Sequence, residues 1–317
     1  MVRLNRAGVG FATILFLFVL LQLFTRHEET LKIHGSRKLT KPSREKMNQT
    51  SGAMYDQSSI DCSVRLADPD TFPLVPLISP PGAGNTWLRH LIEQATGFYS
   101  GSVFHDKDLY EGGFLGEFED YTAGNTLTVK VHNAKRLSKV CKAAILLLRN
   151  PIDVVIAEKN RKSSDGHVGE VTWQKDSRMD EDWHQFAYSQ LERYQRIVQD
   201  FSYLTVPTLV VHYENVKNDM LGEVKRIVDF LNMTVTEERK ICVENNGEGK
   251  FHRHKSNVRT PYKAFSVEMI CDALTLMKKV SKLIAKKGHQ PLPCQQDQPV
   301  SNCYLVSKTL SSVKLCP

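Results

Sequence analysis

None of the seven cysteines (Cys62, Cys141, Cys242, Cys271, Cys294, Cys303 and Cys316) forms a CxxC pair. That removes the usual zinc spacings, and no metal is expected. The chain has no internal repeat and no basic run interleaved with aromatics, so nucleic acid is not an expected partner. The nucleotide-triphosphate loop G-x-x-x-x-G-K-[ST] is missing, and no obvious metal carboxylate follows the third apolar strand. The chain is therefore not built for a typical magnesium–ATP complex, which argues against an ATP-dependent enzyme. The cysteine count is odd, so in an oxidising compartment at least one is free or paired between chains. Three of the seven fall in the last 24 residues, where there is little core to build.

What is present is an ordinary globular composition with ends unlike its middle. The 317 residues are 41% hydrophobic and 24% charged, with a net charge of +7. A basic surplus suits an anionic ligand such as a nucleotide or a sulfated or sialylated glycan, or it is simply a solvated face. Ala7 to Thr25 carries no charge and is dominated by Leu, Phe, Val and Ile. About 20 such residues cross a bilayer as a helix. Arg3 and Arg6 precede the run, which favours a cytosolic N-terminus and a lumenal C-terminus. A cleaved signal peptide would want a small-x-small site, which Phe24-Thr25-Arg26 does not offer.

The expected layout is a cytosolic tail (1–6), a single-pass type II signal anchor (7–25), a stem (26–70), a lumenal α/β domain (71–290) and a C-terminal tail (291–317). The stem is rich in Lys, Ser, Thr and Gln and has no periodic apolar face. Asn48-Gln49-Thr50 and Asn232-Met233-Thr234 are glycosylation sequons, which agrees with a lumenal fate.

Within 71–290, short apolar runs alternate with helical patterns. Strands are expected at Leu74–Ser79, Thr126–His132, Ala143–Leu148 and Thr208–His212. The third is continuously apolar, as a strand covered on both faces should be. Helices are expected from about Thr86 to Gln94 and from Pro151, with Asn150 as its cap. Another carries Trp183, Phe186, Ala187, Leu191, Tyr194, Val198 and Phe201 on one face, and a further one Leu221 to Leu231. The last is capped by Ser266 and ends before Gly288. This alternation implies a mostly parallel sheet flanked by helices.

Three motifs carry candidate chemistry. The stretch Gly82, Ala83, Gly84, Asn85, Thr86 and Trp87 links the first strand to its helix. Glycines let backbone approach an oxyanion, and a helix N-terminus offers free N–H groups. Lys130 and His132 end the second strand on one face. A His near its natural pKa can take a hydroxyl proton, and a Lys can answer charge on a leaving oxygen. Arg149, Asn150, Pro151 and Asp153 follow the third strand, where an Arg fork can grip phosphate. For each, the plain alternative is structural: a Gly/Pro turn, two strand-end polar groups, or a helix-start salt bridge.

These motifs resemble those of the sulfotransferases. The loop is similar to the phosphosulfate loop P-K-x-G-T-T/S-W/L, with Gly82 where the pattern has its lysine. Lys130-Val131-His132 resembles K-T-H, in which the histidine is the general base. Arg149-Asn150-Pro151-x-Asp153 resembles the 3′-phosphate motif R-N/D-P-x-D, whose later serine falls on Ala157. Tyr213-Glu214 resembles the Y-E pair whose tyrosine contacts adenine. Phe251 to Lys255 falls where R-K-G stands, with Arg253 as a loose match.

Pro81 to Gly101 is most similar to the sulfotransferase domain of the WSC-domain-containing sulfotransferases. That subgroup also lacks the loop lysine; its WSC modules are missing here. The resemblance spans about residues 74–270. It implies a P-loop-like sulfotransferase fold, 3′-phosphoadenosine-5′-phosphosulfate (PAPS) as co-substrate, and a Golgi membrane location. It also implies a glycan or glycoprotein acceptor, with sialic acid on glycoconjugates suggested by the subgroup. A homodimer is compatible with it. Two other readings stay open: a PAPS- or glycan-binding protein of the same fold without turnover, and a P-loop-like lumenal kinase.

Overall fold

The computed structural model describes residues 60–163, 181–250 and 264–293. The expected anchor, Asn48, Arg253 and most of the C-terminal tail lie outside them. Among the described residues no helix is long and apolar enough to cross a membrane.

Five parallel strands form one sheet: β1 (Pro76–Ile78), β2 (Gly101–Ser102), β3 (Val129–Val131), β4 (Ala144–Leu148) and β5 (Thr208–His212). Their order is β2-β3-β1-β4-β5. All strand carboxyl ends therefore lie along one edge. The chain leaves β1 toward β2 on one side and crosses to β4 on the other. That opens a crevice between β1 and β4, the place where sheets of this kind take ligands.

β4 is buried along its whole length and pairs with both β1 and β5. Its unbroken Ala-Ile-Leu-Leu-Leu run is what a strand covered on both faces requires. β1 and β3 are shorter than the apolar runs around them. In register, Leu77 faces Lys130 and Ile78 faces Val131, and Ser79 N–H still donates to Val131 O at 3.2 Å.

Helix α1 (Asn85–Thr96) turns Leu88, Leu91, Ile92 and Ala95 into the core, at the three- and four-residue spacing of one helical face. It ends at Gly97, whose φ of +76° accepts the left-handed cap with its N–H on Glu93 O. Next come α2 (Lys107–Glu111) and a 3₁₀ turn at Leu115–Phe118. Helix α3 (Pro151–Ser163) follows β4, and α4 is Glu181–Ser202. α5 (Tyr213–Asn218) and α6 (Met220–Phe230) follow β5. α7 is Glu237–Asn246, and α8 (Val267–Ala285) is capped by the Ser266 hydroxyl accepting from Met269 N–H.

β2, α2 and α7 have no counterpart in the sequence reading. β2 is two residues long, α2 five, and α7 has a weak apolar face of Cys242 and Val243. Residues 60–70 run along the domain rather than away from it. Arg65 N–H donates to Gly97 O, and Ala67 N–H to Asn125 O, each at 3.0 Å. Cys62 is disulfide-bonded to Cys242 of α7. Cys271 is also in a disulfide, and Cys141 is a buried free thiol. Asn232 stands exposed in the turn after α6, with φ +58°.

Candidate functional site

The carboxyl edge gathers residues from every strand. After β1 the chain makes the Ser79–Gly84 loop, in which Ala83 N–H closes a turn on Pro80 O at 3.2 Å. Gly82 (φ +87°) and Gly84 (φ +97°) both occupy the left-handed region, open to glycine at little cost. Each is also hemmed in. A Cβ on Gly82 would meet Val154 O at 2.6 Å, and one on Gly84 would meet the Tyr213 ring at 2.7 Å.

Gly84 caps α1 without any side-chain hydrogen bond. The first N–H groups of α1 and its positive dipole end thus have no side-chain cap, the form in which a helix start receives oxyanions. Gly82, Gly84, Thr86 and Trp87 are partly accessible, whereas Ala83 and Asn85 are buried beneath the loop. Asn85 turns inward. Its Nδ2 donates to Leu77 O and to Ser79 Oγ, each at 3.1 Å. Ala83 and Asn85 can therefore meet a ligand through backbone only.

Trp87 Nε1–H donates to Gly247 O at 2.7 Å, and its ring meets Tyr213 edge-on at 5.3 Å. Tyr213 opens α5 directly after β5, and the guanidinium of Arg149 lies 4.3 Å from its ring centre. Arg149 follows β4. Its NH1 reaches Gly82 O at 3.3 Å across the β1/β4 crevice, and its buried Nε has no hydrogen-bond partner. Tyr194 Oη–H donates to Arg149 O at 2.9 Å, fixing the backbone beneath. Asn150 Oδ1 accepts from Ile152 N–H at 2.9 Å, capping α3. Asn150 N–H in turn donates to Glu214 at 2.8 Å. Burial holds the Glu214 carboxyl above its ordinary pKa. Asp153 stands in the first turn of α3.

On the other side of the loop, the partly buried ring of His132 lies beside Ser79. Its Nδ1 is 2.7 Å from Ser79 O. A carbonyl only accepts, so Nδ1 carries the proton and Nε2 keeps its lone pair. Burial, then the neighbouring Lys130 charge, pushes the His132 pKa down to about 3, so the ring is neutral. Lys130 is buried in β3, and burial followed by Arg89 lowers its pKa to about 8. Arg161 binds Glu158 through Nε (2.7 Å) and NH2 (2.8 Å).

The structure thus brings the loop, Lys130, His132, Arg149, Asp153 and Tyr213 to one edge. Ser79, Tyr194 and Gly247 had escaped the sequence reading. Ser79 ends the expected first strand as His132 ends the second, and strand ends that share one edge of a parallel sheet could have pointed to it. The other two act through a hydroxyl and a carbonyl distant in sequence, which leave no local signal. Arg89 of α1, which could otherwise answer for the lysine that the loop lacks, is fully buried in an ion pair with Glu117 and is not available to a ligand. No cluster among the described residues could hold a metal ion.

A parallel α/β sheet with an uncapped helix N-terminus and a free guanidinium edge at its crevice defines an anion-binding domain. Residues 73–257, more than half of the chain, match the family model described as a sulfotransferase domain. The chain belongs to the sulfotransferase family. It is 35% identical over 186 residues to WSCD family member CG9164 of Drosophila melanogaster. It is 34% identical over 185 residues to WSCD family member AAEL009094 of Aedes aegypti. Each match covers 57% of this chain and 57% of the relative, so the chain spans little more than half of their length. WSCD family member GA21586 of Drosophila pseudoobscura pseudoobscura matches at 32% over 220 residues, 68% of each chain. Among solved structures, mouse sulfotransferase SULT7A1 complexed with PAP aligns at 16% identity with a TM-score of 0.44, over 78% of this chain and 91% of that one. A retinol dehydratase in complex with androsterone and inactive cofactor PAP aligns at 15% and 0.43, over 72% and 83%.

Proposed function

We propose that this protein transfers the sulfuryl group of PAPS to a hydroxyl of a lumenal glycan, as a single-pass Golgi membrane protein. The observation that carries the reading is the state of His132. It is neutral, held by Ser79 through Nδ1, and leaves Nε2 free beside an oxyanion-receiving loop. Group transfer to a hydroxyl needs a proton acceptor so placed. A pKa of about 3 makes it a weaker base than the His near its natural pKa that the sequence leads one to expect, and an anionic phosphosulfate beside the ring would raise it.

In this reading the α1 N–H groups, Thr86 and the glycine backbone hold the 5′-phosphosulfate, and Arg149 takes the 3′-phosphate. Tyr213 and Trp87 flank the base. His132 Nε2 accepts the acceptor proton as the acceptor oxygen bonds to sulfur. The bond from sulfur to the bridging oxygen breaks, and that oxygen leaves on the nucleotide as phosphate. Lys130 faces the negative charge that develops there. General-base assistance of this kind contributes about 10²–10⁴-fold.

An anionic sugar such as sialic acid fits the electrostatics. Lys130, Arg193 and Arg161 all bear on His132 with positive charge, and such a field draws acidic acceptors. The disulfide at Cys62–Cys242 suits an oxidising lumen. The charge-free run from Ala7 to Thr25 behind Arg3 and Arg6 suits a signal anchor.

The test is transfer of labelled sulfate from PAPS by the full-length chain onto sialylated glycans and their desialylated counterparts. Label on the sialylated set alone supports sulfuryl transfer to a sialylated acceptor. Label on both sets removes the sialic acid assignment. Binding of PAPS without transfer to any acceptor favours the second reading, a non-catalytic binder, which Gly82 and Ala157 make the strongest rival.

A further inference from the structure

The segment between β2 and β3 holds an arrangement that the chemistry above leaves unused. Eight large apolar side chains stand exposed among the described residues, and four of them fall here: Phe104 (43%), Tyr110 (40%), Leu115 (41%) and Phe118 (50%). They are clustered. His105 stacks on Phe118 at 5.8 Å, Tyr110 meets the same ring edge-on at 4.9 Å, and Phe104 lies 5.0 Å from the His132 ring. A contiguous exposed apolar patch marks a binding surface. This one adjoins the imidazole.

Beneath it lies a buried ionic network. Arg89 NH1 bonds Glu117 Oε2 at 2.7 Å, and neither side chain has any exposure. Arg89 Nε donates to Ser100 Oγ at 2.8 Å and NH2 to Ser100 O at 3.1 Å. Its guanidinium lies 4.7 Å from the Phe114 ring centre. The other oxygen of Glu117, Oε1, accepts from Asp106 N–H at 3.3 Å. A buried ion pair is weak evidence for stability, because well-packed apolar side chains of similar volume often do as well. What this pair supplies is geometry. Arg89 belongs to α1, the helix that begins at the phosphate loop. Glu117 precedes Phe118 and grips the backbone beside His105, which sits at φ +52°, a conformation that a non-glycine residue keeps only when its neighbours impose it.

We propose that the buried Arg89–Glu117 pair is a positioning device that holds an aromatic acceptor platform, Phe104, His105, Tyr110 and Phe118, in register with His132. The platform takes the apolar face of a sugar ring. The C–H groups of a pyranose carry slight positive charge and lie well against the negative face of an aromatic ring. This rests on the reading that the acceptor is a glycan. Arg89 and Glu117 touch neither substrate; they reach the acceptor through the platform, and their opposed charges also bear on Lys130, an effect read in kcat rather than in acceptor KM.

The experiment compares full-length Arg89→Met/Glu117→Leu, Glu117→Gln, Tyr110→Ala and Phe118→Ala with wild type. It measures PAP binding by titration, and kcat and KM for the glycan acceptor. The double variant should keep PAP affinity within about threefold. Its acceptor KM should rise by between about tenfold and a hundredfold, since misplacing a group by 1 Å costs up to about 10²-fold. Glu117→Gln should recover part of the loss, because an amide oxygen still accepts from Asp106 N–H. The two alanine variants, at exposed positions that leave the fold intact, should raise acceptor KM alone. Unchanged acceptor KM in the double variant or in both alanine variants overturns the proposal. If the double variant does not fold, the alanine variants and Glu117→Gln decide. Wild-type turnover of a non-glycan acceptor only would sink the glycan reading instead, and the same KM comparison on that acceptor would still decide the positioning role. If wild type binds glycan without turnover, the dissociation constants of the same variants are compared.

Discussion

Gly82 and Ala157 face each other across the phosphate loop: a Cβ built on Gly82 would stand 3.3 Å from the Cβ of Ala157. These are the two positions where the chain departs from the loop lysine and the serine of the sulfotransferase pattern. They are one packing feature, in which the loop lies directly on α3, with Val154 O 2.6 Å and Glu158 N 3.1 Å from the same Cβ. Restoring the lysine should therefore harm the protein. Gly82→Lys forces a side chain into φ +87° at a cost of roughly 1–3 kcal/mol, and pushes the loop off the helix. We expect a lower melting temperature and weaker PAP binding. A Gly82→Lys variant as stable as wild type and with higher turnover would show that the loop tolerates the lysine and lacks only its charge.

The Lys130 and His132 shifts set a pH profile. kcat/KM for PAPS reports the free protein. His132 must be neutral to act as base, and its pKa is pushed down to about 3. Its neutral form therefore persists well below pH 6.5, and no acid-side loss from this group is expected between pH 5 and 7. Lys130 must be charged to answer the leaving oxygen, and its pKa is about 8. The rate should fall as pH rises through 8. Lys130→Arg, which stays charged, should remove that alkaline fall even if the plateau is lower. A wild-type profile that falls below pH 7, or an alkaline limb unchanged in Lys130→Arg, would reassign these roles.

The parallel sheet and most of its helices were legible because their signals are local. β4 is a continuous apolar run, β5 was bounded at Thr208 and His212, and Ser266 caps α8 as a hydroxyl before a periodic face should. The loop and the strand-end groups were legible as a set because a parallel sheet places every post-strand residue on one edge. What escaped lacked a local signal. β2 is two residues held by β3. α7 hides only Cys242 and Val243, and is tied to Cys62 from 180 residues away. Arg89, three residues after Thr86 in a helix, carries no sign of its burial in the sequence. Only the three-dimensional placement of Glu117 and Ser100 turns it inward.

Glu93 gives the fold a pH response of its own. It accepts from Ser100 N–H at 3.0 Å and from the Ser100 hydroxyl. Burial raises its pKa from 4.5 to about 7, against the opposing pull of Arg89. A carboxyl with a raised folded pKa binds its proton more tightly in the fold. Its contribution is complete below about 4.5 and is lost as pH rises through about 7. The Glu93 contribution should therefore decline between pH 5 and 8 by on the order of 1–3 kcal/mol, against the opposite rise toward pH 6.5 that the lowered His132 pKa brings. Glu93→Gln keeps an acceptor for Ser100 and has nothing to titrate at this position. The difference between the wild-type and variant unfolding midpoints should therefore shift against wild type as pH rises over that range, while the His132 and Lys130 contributions are common to both. Parallel slopes for wild type and Glu93→Gln in urea titrations at pH 5, 6, 7 and 8 would count against the raised carboxyl.

Arg149 is the residue whose surroundings most demand an anion. Tyr213 holds its guanidinium face at 4.3 Å, and Tyr194 pins its carbonyl. NH1 makes only a long 3.3 Å contact to Gly82 O, while Nε is buried and unsatisfied. A buried donor without a partner is costly, and a phosphate oxygen on that edge would relieve the cost while adding a charged hydrogen bond. Removing the side chain should forfeit roughly 1.5–3 kcal/mol, or about 10–150-fold in PAP affinity. 5′-AMP lacks the 3′-phosphate, so its affinity should change little in Arg149→Ala. Arg149→Lys keeps the charge without the planar fork and should fall between the two. Tyr213→Phe should leave PAP affinity near wild type, because a phenyl face serves the guanidinium as well. Titration calorimetry with both nucleotides decides the matter: an equal loss for PAP and 5′-AMP in Arg149→Ala would mean that Arg149 braces the loop through Gly82 rather than reading the 3′-phosphate.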